Sequence, residues 1–398
     1  MNPKAAKYIF FLIGPFFSLP FIILDILKKN KAALTMLAFL IGILSFLYIP
    51  RYSNDKAYYY LLYEQLNSIE FNSFLLYLFQ AKTDFIFYFL VYFFSILNIP
   101  LQYLFLILTF ITVKIWFDVY YKTVSQYNIN SKEFLLFYLF ILFSFSLAGL
   151  LSGVRFYFAI SLSLLGLYNG IILQKRMNGF LLIVIAGLTH FSCLVFFPAY
   201  IALILFSKNF KLFKYLFFIS FVFIFIPRDF LQNLFSSLNL FETHQTKVDS
   251  YLGESDSIEN SIAIGNFNNY LRYFFKTLWV YFAYVYLFLT RKNNSSLRNL
   301  LFISLTIANV FFSAPTVYNR YLILAQGVFI LLLIEDYFQN IRFKKFLNIL
   351  FLVVMFNFLG NVYAMRDIFK KSYLKKDNIL LTTILFKEDI TSNDFIMR

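Results

Sequence analysis

The sequence has little cysteine, histidine or charge. Cys193 is its single cysteine, and His190 and His244 are its only histidines in 398 residues. One cysteine excludes a disulfide within the chain, and these three side chains do not make up a ligand set for structural zinc, haem or an iron–sulfur cluster. The sequence therefore predicts no metal site and no cofactor.

Nucleotide and nucleophile motifs are also missing. The chain has no Walker P-loop, glycine-rich dinucleotide turn, His-Glu-x-x-His sequence or Gly-x-Ser-x-Gly elbow. It also has no Asp-x-Asp pair in a loop where a metal would hold a nucleotide sugar. A nucleotide-activated donor is therefore disfavoured, whereas a lipid pyrophosphate donor requires no nucleotide site.

The sequence is rich in apolar residues. Hydrophobic residues make up 61% of the chain and charged residues 14%, against roughly 45–50% and 25% in soluble domains. The apolar runs are continuous rather than alternating, which favours helices over barrel strands. We predict an all-α polytopic integral membrane protein, a single membrane domain over residues 1–398, with about 10–12 transmembrane helices. Tyr8–Leu27 and Phe134–Leu151 are each predicted to be one span.

Two segments do not fit simple spans. Gly179–Phe206 is too long for one straight crossing and too short for two, so we predict a broken or re-entrant helix pair hinged near Thr189–His190. Within residues 50–100, apolar positions from Phe71 to Phe79 follow helical spacing, and Phe85–Leu97 is shorter than a crossing. This segment is predicted to form interfacial or re-entrant helices.

The basic residues give the orientation. Because cytoplasmic loops are enriched in lysine and arginine, the net charge of +15 indicates membrane topology, and no nucleic-acid partner is expected. The basic groups all lie on one side of the membrane if the broken helix pair, Gly179–Phe206, enters and leaves the membrane on the same face. They are Lys28, Lys29 and Lys31; Lys122 and Lys132; Lys175 and Arg176; Lys208, Lys211 and Lys214; Arg291, Lys292 and Arg298; and Arg342, Lys344 and Lys345.

Two polar segments fall on the opposite, outer side. Residues 228–272 contain six acidic side chains and form either a lid or acceptor-binding loop or a solvated linker. The basic tail, residues 364–398, is placed outside by the crossing count, against the charge rule. Either the number of membrane crossings is wrong by one, or Arg366–Lys376 is an amphipathic helix on an anionic outer surface.

Several charged side chains lie where spans begin on the outer side. Arg51 and Asp55 follow the second span and are either a phosphate and hydroxyl binding pair or a snorkelling pair. Arg155 lies about one turn into a span, where a charge costs about 2.5–3.5 kcal/mol unless it is paired or hydrated. It is therefore a functional candidate, the alternatives being a structural pair with Asp55 or an interface anchor.

His190 and a second group of outer residues complete the candidates. His190 lies at the proposed helix break and is either a base or phosphate ligand or a satisfied core histidine. Tyr318, Asn319 and Arg320 follow Pro315 at the start of a later span, and Arg272 is a further candidate or an anchor. Outer arginines with few nearby carboxylates are typical of a site that clamps a polyanion, such as a pyrophosphate-linked lipid.

These features resemble the EpsG family of bacterial polysaccharide polymerases, related in role to Wzy-type O-antigen and capsule polymerases. The resemblance covers roughly residues 30–210. It rests on the R-x-x-x-D-x-x-x-Y pattern of Arg51, Asp55 and Tyr59, on SGVRFYFAISL with the following QKR turn, on AGLTHFSCLVFFP, and later on the Asn319–Arg320 pair. Asn54 stands where the family usually has glycine.

The resemblance implies a metal-independent glycosyltransferase with a glycosyltransferase C-like membrane architecture. It would join undecaprenyl-pyrophosphate-linked oligosaccharide units at the outer face of the bacterial cytoplasmic membrane, among membrane lipids, with a chain-length regulator and a flippase of the same pathway as partners. Its residues would divide by role. Arg155, Arg320, Arg51 and Arg272 would bind pyrophosphate; Tyr59, Tyr318 and Asn319 would bind glycan; and His190 and Asp55 compete as the base.

Two other classes fit part of this pattern. A lipid-linked oligosaccharide flippase also requires arginines for pyrophosphate, but internal repeats and charges accessible from both faces are expected of it. A membrane acyltransferase modifying a polysaccharide usually uses a histidine with a carboxylate, and His190 has no adjacent carboxylate in the sequence.

Overall fold

The computed structural model describes residues 3–81, 84–237, 267–290, 295–339, 344–374 and 378–396. Within these ranges the chain is helical almost throughout and forms no β-strand, with an isolated bridge between Arg51 and Ile396. Four of the described helices are long and apolar enough to cross a membrane, and shorter apolar helices accompany them. The predicted all-α polytopic membrane fold is confirmed.

The helices begin and end as follows. In the first part of the chain they are α1 (Pro3–Ile13), α2 (Leu19–Leu27), α3 (Lys31–Leu47), α4 (Asp55–Leu66), α5 (Phe71–Ala81), α6 (Phe85–Ile96), α7 (Leu101–Val124), α8 (Ser131–Ser144), α9 (Leu147–Ser152) and α10 (Val154–Leu167). In the remainder they are α11 (Arg176–Thr189), α12 (Phe196–Leu205), α13 (Phe210–Ser220), α14 (Arg228–Ser237), α15 (Phe267–Leu289), α16 (Ser296–Val310), α17 (Pro315–Gln339), α18 (Lys344–Ala364), α19 (Arg366–Ile368) and α20 (Leu381–Leu385).

Two of the predicted continuous spans are interrupted, so those predictions are wrong. In Tyr8–Leu27, Gly14 is extended and a 3₁₀ turn starts at Pro15, because proline has no N–H for a hydrogen bond with the preceding turn. In Phe134–Leu151, α8 ends at an extended Phe145, and the side chain of Ser146 caps α9 by accepting from Gly149 N at 3.3 Å.

The chain packs as two compact units. The first consists of Met1–Leu162, Ile185–Phe191 and Phe358–Arg398. In it α3 packs along α7, and α4 packs against α6. Its core contains aromatic side chains of α4, α6 and α7 that are no more than 3% exposed, including Tyr59, Tyr60, Phe87 and Phe105.

The second unit consists of Ser163–Val184 and Ser192–Asn357. A buried network ties three of its helices together, with Arg298 on α16 donating to Asp336 on α17 at 2.8 Å and Tyr286 on α15 donating to the same carboxylate oxygen at 2.5 Å. Arg298 also donates to the Thr290 carbonyl and hydroxyl. Because Arg298 is fully buried, this basic residue of the charge pattern serves packing inside the protein.

Candidate functional site

Arg155 is held at the start of α10 with its guanidinium inside the first unit. It is the second residue of the helix, closer to the helix start than the predicted full turn, and its side chain is 14% exposed. A guanidinium with so little access to water requires a partner, because an unpaired buried charge is strongly unfavourable. That partner is not Asp55, as one sequence alternative supposed, but Asp84.

Asp84 is the principal residue of the site that the sequence did not indicate. Its Oδ2 accepts a hydrogen bond from Arg155 Nη1 at 2.6 Å, and its Oδ1 accepts from the backbone N–H of Phe191 at 2.8 Å. The side chain is 1% exposed, and its backbone lies in the left-handed region with φ 58°. The available sequence signal was an acidic residue immediately before the apolar run that becomes α6.

His190 lies at a break between two helices. α11 ends at Thr189, His190 N donates to Ala186 O at 2.9 Å, and a 3₁₀ turn begins at Phe191. The His190 ring is buried and meets the ring of Phe156 edge to face at 5.2 Å. Since Phe191 donates to Asp84, a single carboxylate joins Arg155 to the residue that follows His190.

Aromatic rings surround the Arg155 guanidinium. Its Cζ lies 5.3 Å from the centre of the Tyr59 ring and 5.9 Å from that of Phe87. These are cation–π distances, and such contacts are strengthened where water is excluded. Burial raises the pKa of Tyr59 well above its ordinary value despite the opposing effect of Arg155, so the phenol keeps its proton.

One donor of Arg155 is unused. Among the residues that the structure describes, Arg155 Nε is buried and has no hydrogen-bond partner. Asp84 orients the guanidinium through Nη1 and does not bond to this N–H. Because arginine presents its donors in a rigid planar fork, such an arrangement suits a second anion.

Asp55 lies outside this buried cluster but acts on it. It is exposed, as the first residue of α4, where a negative charge is favourable at the helix N-terminus. Its charge interacts electrostatically with Tyr59 and with Arg155. The predicted base candidates therefore differ in surroundings, His190 being buried and Asp55 facing solvent.

Arg51 is brought to the C-terminal tail. Its Nη2 lies 3.7 Å from Asp367 Oδ2, and both side chains are substantially exposed. The backbone of Ile396 donates to Pro50 O at 3.0 Å, which fixes the end of the tail beside Arg51. The tail therefore lies beside Arg51, at the C-terminal end of α3. The distribution of lysine and arginine in the sequence did not determine this position.

The other predicted residues belong to the second unit. Tyr318 and Asn319 are buried in the first turns of α17, where Tyr318 hydrogen-bonds with Tyr284 and Asn319 Nδ2 donates to Pro315 O at 2.6 Å. Arg320 follows them on the same helix. Arg272 lies in α15 with its side chain outside the described part, and residues 238–266 of the predicted outer loop also lie outside it.

The chemistry that the first unit offers at this place comes from a guanidinium group. Within the described ranges, no three His, Cys, Asp or Glu side chains are grouped so that they could hold a metal ion. Arg155 instead offers a fixed guanidinium in surroundings of low dielectric constant, where a hydrogen bond to a developing negative charge is stronger than in water.

The comparisons with known proteins identify a family. The family model described as the EpsG family matches residues 34–375, which includes Arg51, Asp84, Arg155, His190 and Arg320. No curated protein and no solved structure gives a significant match. Because the matched range covers most of the chain, the protein belongs to the EpsG family, a family of Wzy-like polysaccharide polymerases.

Proposed function

We propose that the protein is a membrane glycosyltransferase that polymerises undecaprenyl-pyrophosphate-linked oligosaccharide units at the outer face of the bacterial cytoplasmic membrane. The observation that carries the proposal is the buried Arg155, oriented by Asp84 beside the helix break at His190 and retaining an unused donor. Family membership supplies the polymerase class.

Transfer of the glycan requires stabilisation of the negative charge that develops on the leaving pyrophosphate. An acceptor hydroxyl oxygen forms a bond to the anomeric carbon of the growing chain, while the bond from that carbon to the pyrophosphate oxygen breaks and its electron pair leaves with the lipid pyrophosphate. Arg155 would donate to the phosphate oxygens as negative charge develops on them. Removing one such donor typically lowers turnover by about 10²–10³-fold.

The hydroxyl proton has two candidate acceptors. His190 and Asp55 both lie in the first unit, and either would take the proton as the acceptor oxygen attacks. Asp84 is a weaker candidate because both of its oxygens already accept hydrogen bonds. We therefore assign Asp84 a positioning role, holding the guanidinium plane and the chain after His190.

Complementation of a strain lacking the gene tests the proposal. Arg155→Lys keeps the charge but loses the planar fork, so it should reach normal membrane levels and leave mostly single repeat units on the lipid carrier. Arg155→Ala/Asp84→Ala removes the ion pair as a whole and controls for an unpaired Asp84. This variant should accumulate and form no long chains.

Surface polysaccharide on a gel, read beside membrane protein levels, separates the alternatives. Long chains at normal levels in both variants would show that Arg155 is a structural anchor and would refute the proposed role. If single units fail to reach the outer leaflet without the gene, the protein is a flippase. If long chains persist without the gene and lack only acyl groups, it is an acyltransferase.

A further inference from the structure

A wide basic cavity opens beside Arg51 in the first unit. It encloses about 880 Å³, within the range of roughly 300–1,000 Å³ usual for small-molecule sites. Part of its wall follows α3 and the rest belongs to the C-terminal tail. Its lining residues are Arg51, Tyr52, Ser53, Asp367, Lys370, Lys371 and Ile396.

Buried contacts fix the wall formed by the tail. Ser372 is fully buried and its Oγ accepts from Ile49 N at 3.0 Å, while Tyr373 donates to Leu44 O at 3.0 Å. Asn378 Nδ2 donates to Ser372 O at 2.6 Å. Because Ser372 and Tyr373 follow Lys370 and Lys371 directly in sequence, these bonds anchor the turn that carries the two lysines.

A π-helical turn forms the same wall. Phe369–Tyr373 is wound as a π-helix, a rare conformation that recurs at functional sites. Elsewhere in the lining, Tyr52 N donates to Ile396 O at 3.4 Å, and the Tyr52 side chain is 60% exposed. The cavity is thus formed by segments that are distant in sequence and joined by specific bonds.

The charges of the cavity are unbalanced. Among the residues that the structure describes in the lining, Arg51, Lys370 and Lys371 contribute three positive charges and Asp367 contributes one carboxylate. The resulting charge of +2 equals in magnitude the charge of a pyrophosphate diester, which has one ionised oxygen on each phosphorus. Arg51 has the fork that suits phosphate oxygens, and the lysines act as adjustable point charges.

We propose that this cavity binds the pyrophosphate head of a lipid-linked substrate, separately from Arg155. This inference rests on the proposed function, in which two lipid pyrophosphates must be bound at once. Arg155 serves the one that leaves, and the cavity holds the one that remains attached to the acceptor unit. The exposed Tyr52 ring offers a flat surface for the first sugar.

Binding to the purified full-length protein tests the inference. The probe is farnesyl pyrophosphate, titrated calorimetrically at low salt, with inorganic pyrophosphate and phosphatidylglycerol vesicles as parallel arms. Lys370→Gln/Lys371→Gln should weaken farnesyl pyrophosphate binding about tenfold, since two exposed charge contacts are lost. The matched control Lys208→Gln/Lys211→Gln removes two exposed lysines that do not line the cavity, and it should bind as the wild type does.

The remaining arms identify the source of the phosphate. Unchanged farnesyl pyrophosphate affinity in the cavity variant, or an equal loss in the control, would refute the site. An effect confined to the vesicles would indicate a general contact with anionic lipid, and an effect confined to inorganic pyrophosphate would indicate a free anion. Either result would overturn the proposal for a lipid-linked substrate.

The two proposals fail differently. Binding does not require turnover, so a protein that binds the probe through Lys370 and Lys371 but never polymerises would refute the proposed function and leave the anion site intact. Wild-type polymer from Lys370→Gln/Lys371→Gln would refute the site and leave the function intact.

Discussion

At the scale of single residues, the Arg155–Asp84 pair combines a structural and a chemical role. The two side chains meet at 2.6 Å and are 14% and 1% exposed, so each neutralises a charge that would otherwise be buried unpaired in the protein. The pair also directs the guanidinium, since Asp84 receives a second bond from Phe191 N. Replacing one partner and replacing both should therefore have different consequences.

Asp84→Ala should destabilise the protein by about 3–5 kcal/mol, because it leaves Arg155 buried without its counter-charge. Adding Arg155→Ala should recover most of this loss. Membrane abundance and detergent thermal unfolding measure the effect, with Asp55→Ala as a control at an exposed carboxylate. Equal instability of the single and double variants would show that the pair is not the source of the loss.

Lys56 gives a prediction about pH. Its side chain is fully buried, donates to Ser45 O at 2.5 Å and lies 4.4 Å from the Phe105 ring centre. Burial lowers the pKa of this amine well below its ordinary value of 10.5. Between the folded pKa and about 10.4 the unfolded chain binds more protons, so stability from this group rises with pH.

Lys56→Met should remove that dependence and stabilise the protein at pH 7. We expect the unfolding temperature of the wild type to rise relative to that of Lys56→Met as the pH goes from 7 to 9.5. Parallel curves for the two proteins would contradict a depressed pKa at Lys56. Comparing the two proteins cancels the titration of groups that they share.

Residue patterns indicated Arg155 and His190 but not their connection. An arginine inside an apolar run and a histidine at the centre of a long apolar run can both be recognised from the neighbouring sequence. Asp84, however, lies 71 residues before Arg155 and 107 before Phe191. Nothing in the neighbouring sequence specifies such distant partners, so their meeting depends on tertiary packing.

At the scale of helices, close packing in the second unit depends on glycine. A methyl group at Gly179 would lie 2.6 Å from Gly166 O and 2.6 Å from the Tyr200 hydroxyl. Gly166 and Gly170 have the four-residue spacing that lets membrane helices approach closely. The contact therefore leaves no space for a side chain.

Gly179→Ala should destabilise the protein by about 1–3 kcal/mol through overpacking. Gly360→Ala is the matched control, since a methyl group there meets no atom within 4 Å in the described structure. Thermal unfolding in one detergent compares them. A control as unstable as Gly179→Ala would show that backbone effects, not packing, dominate.

Apolar length predicted the helices better than their interruptions. The runs of α7 and α17 are long and predominantly apolar, and they form long helices. Pro15 indicates a helix break from its residue type alone. Phe145, which is extended and ends α8, does not, because phenylalanine is also common inside helices. Such a break is set by the packing of both flanking helices.

At the scale of the whole molecule, composition was sufficient for the membrane class, and local patterns were sufficient for the family. The family match over residues 34–375 extends well past the stretch that carried the resemblance. The position of the tail beside Arg51 was beyond sequence reasoning, because its basic residues contradicted the charge rule. Long-range bonds such as Ser372 to Ile49 decide it.

The polymerase activity that we propose belongs to this chain alone and requires neither nucleotide nor metal. It is tested by adding purified undecaprenyl-pyrophosphate-linked repeat units to the protein in liposomes, with a chelator present and no nucleotide sugar. We predict a ladder of lengthening glycans, one undecaprenyl pyrophosphate released per linkage, and neither with Arg155→Ala/Asp84→Ala. Single units that only exchange between leaflets, or elongation that requires a divalent metal, would contradict the account.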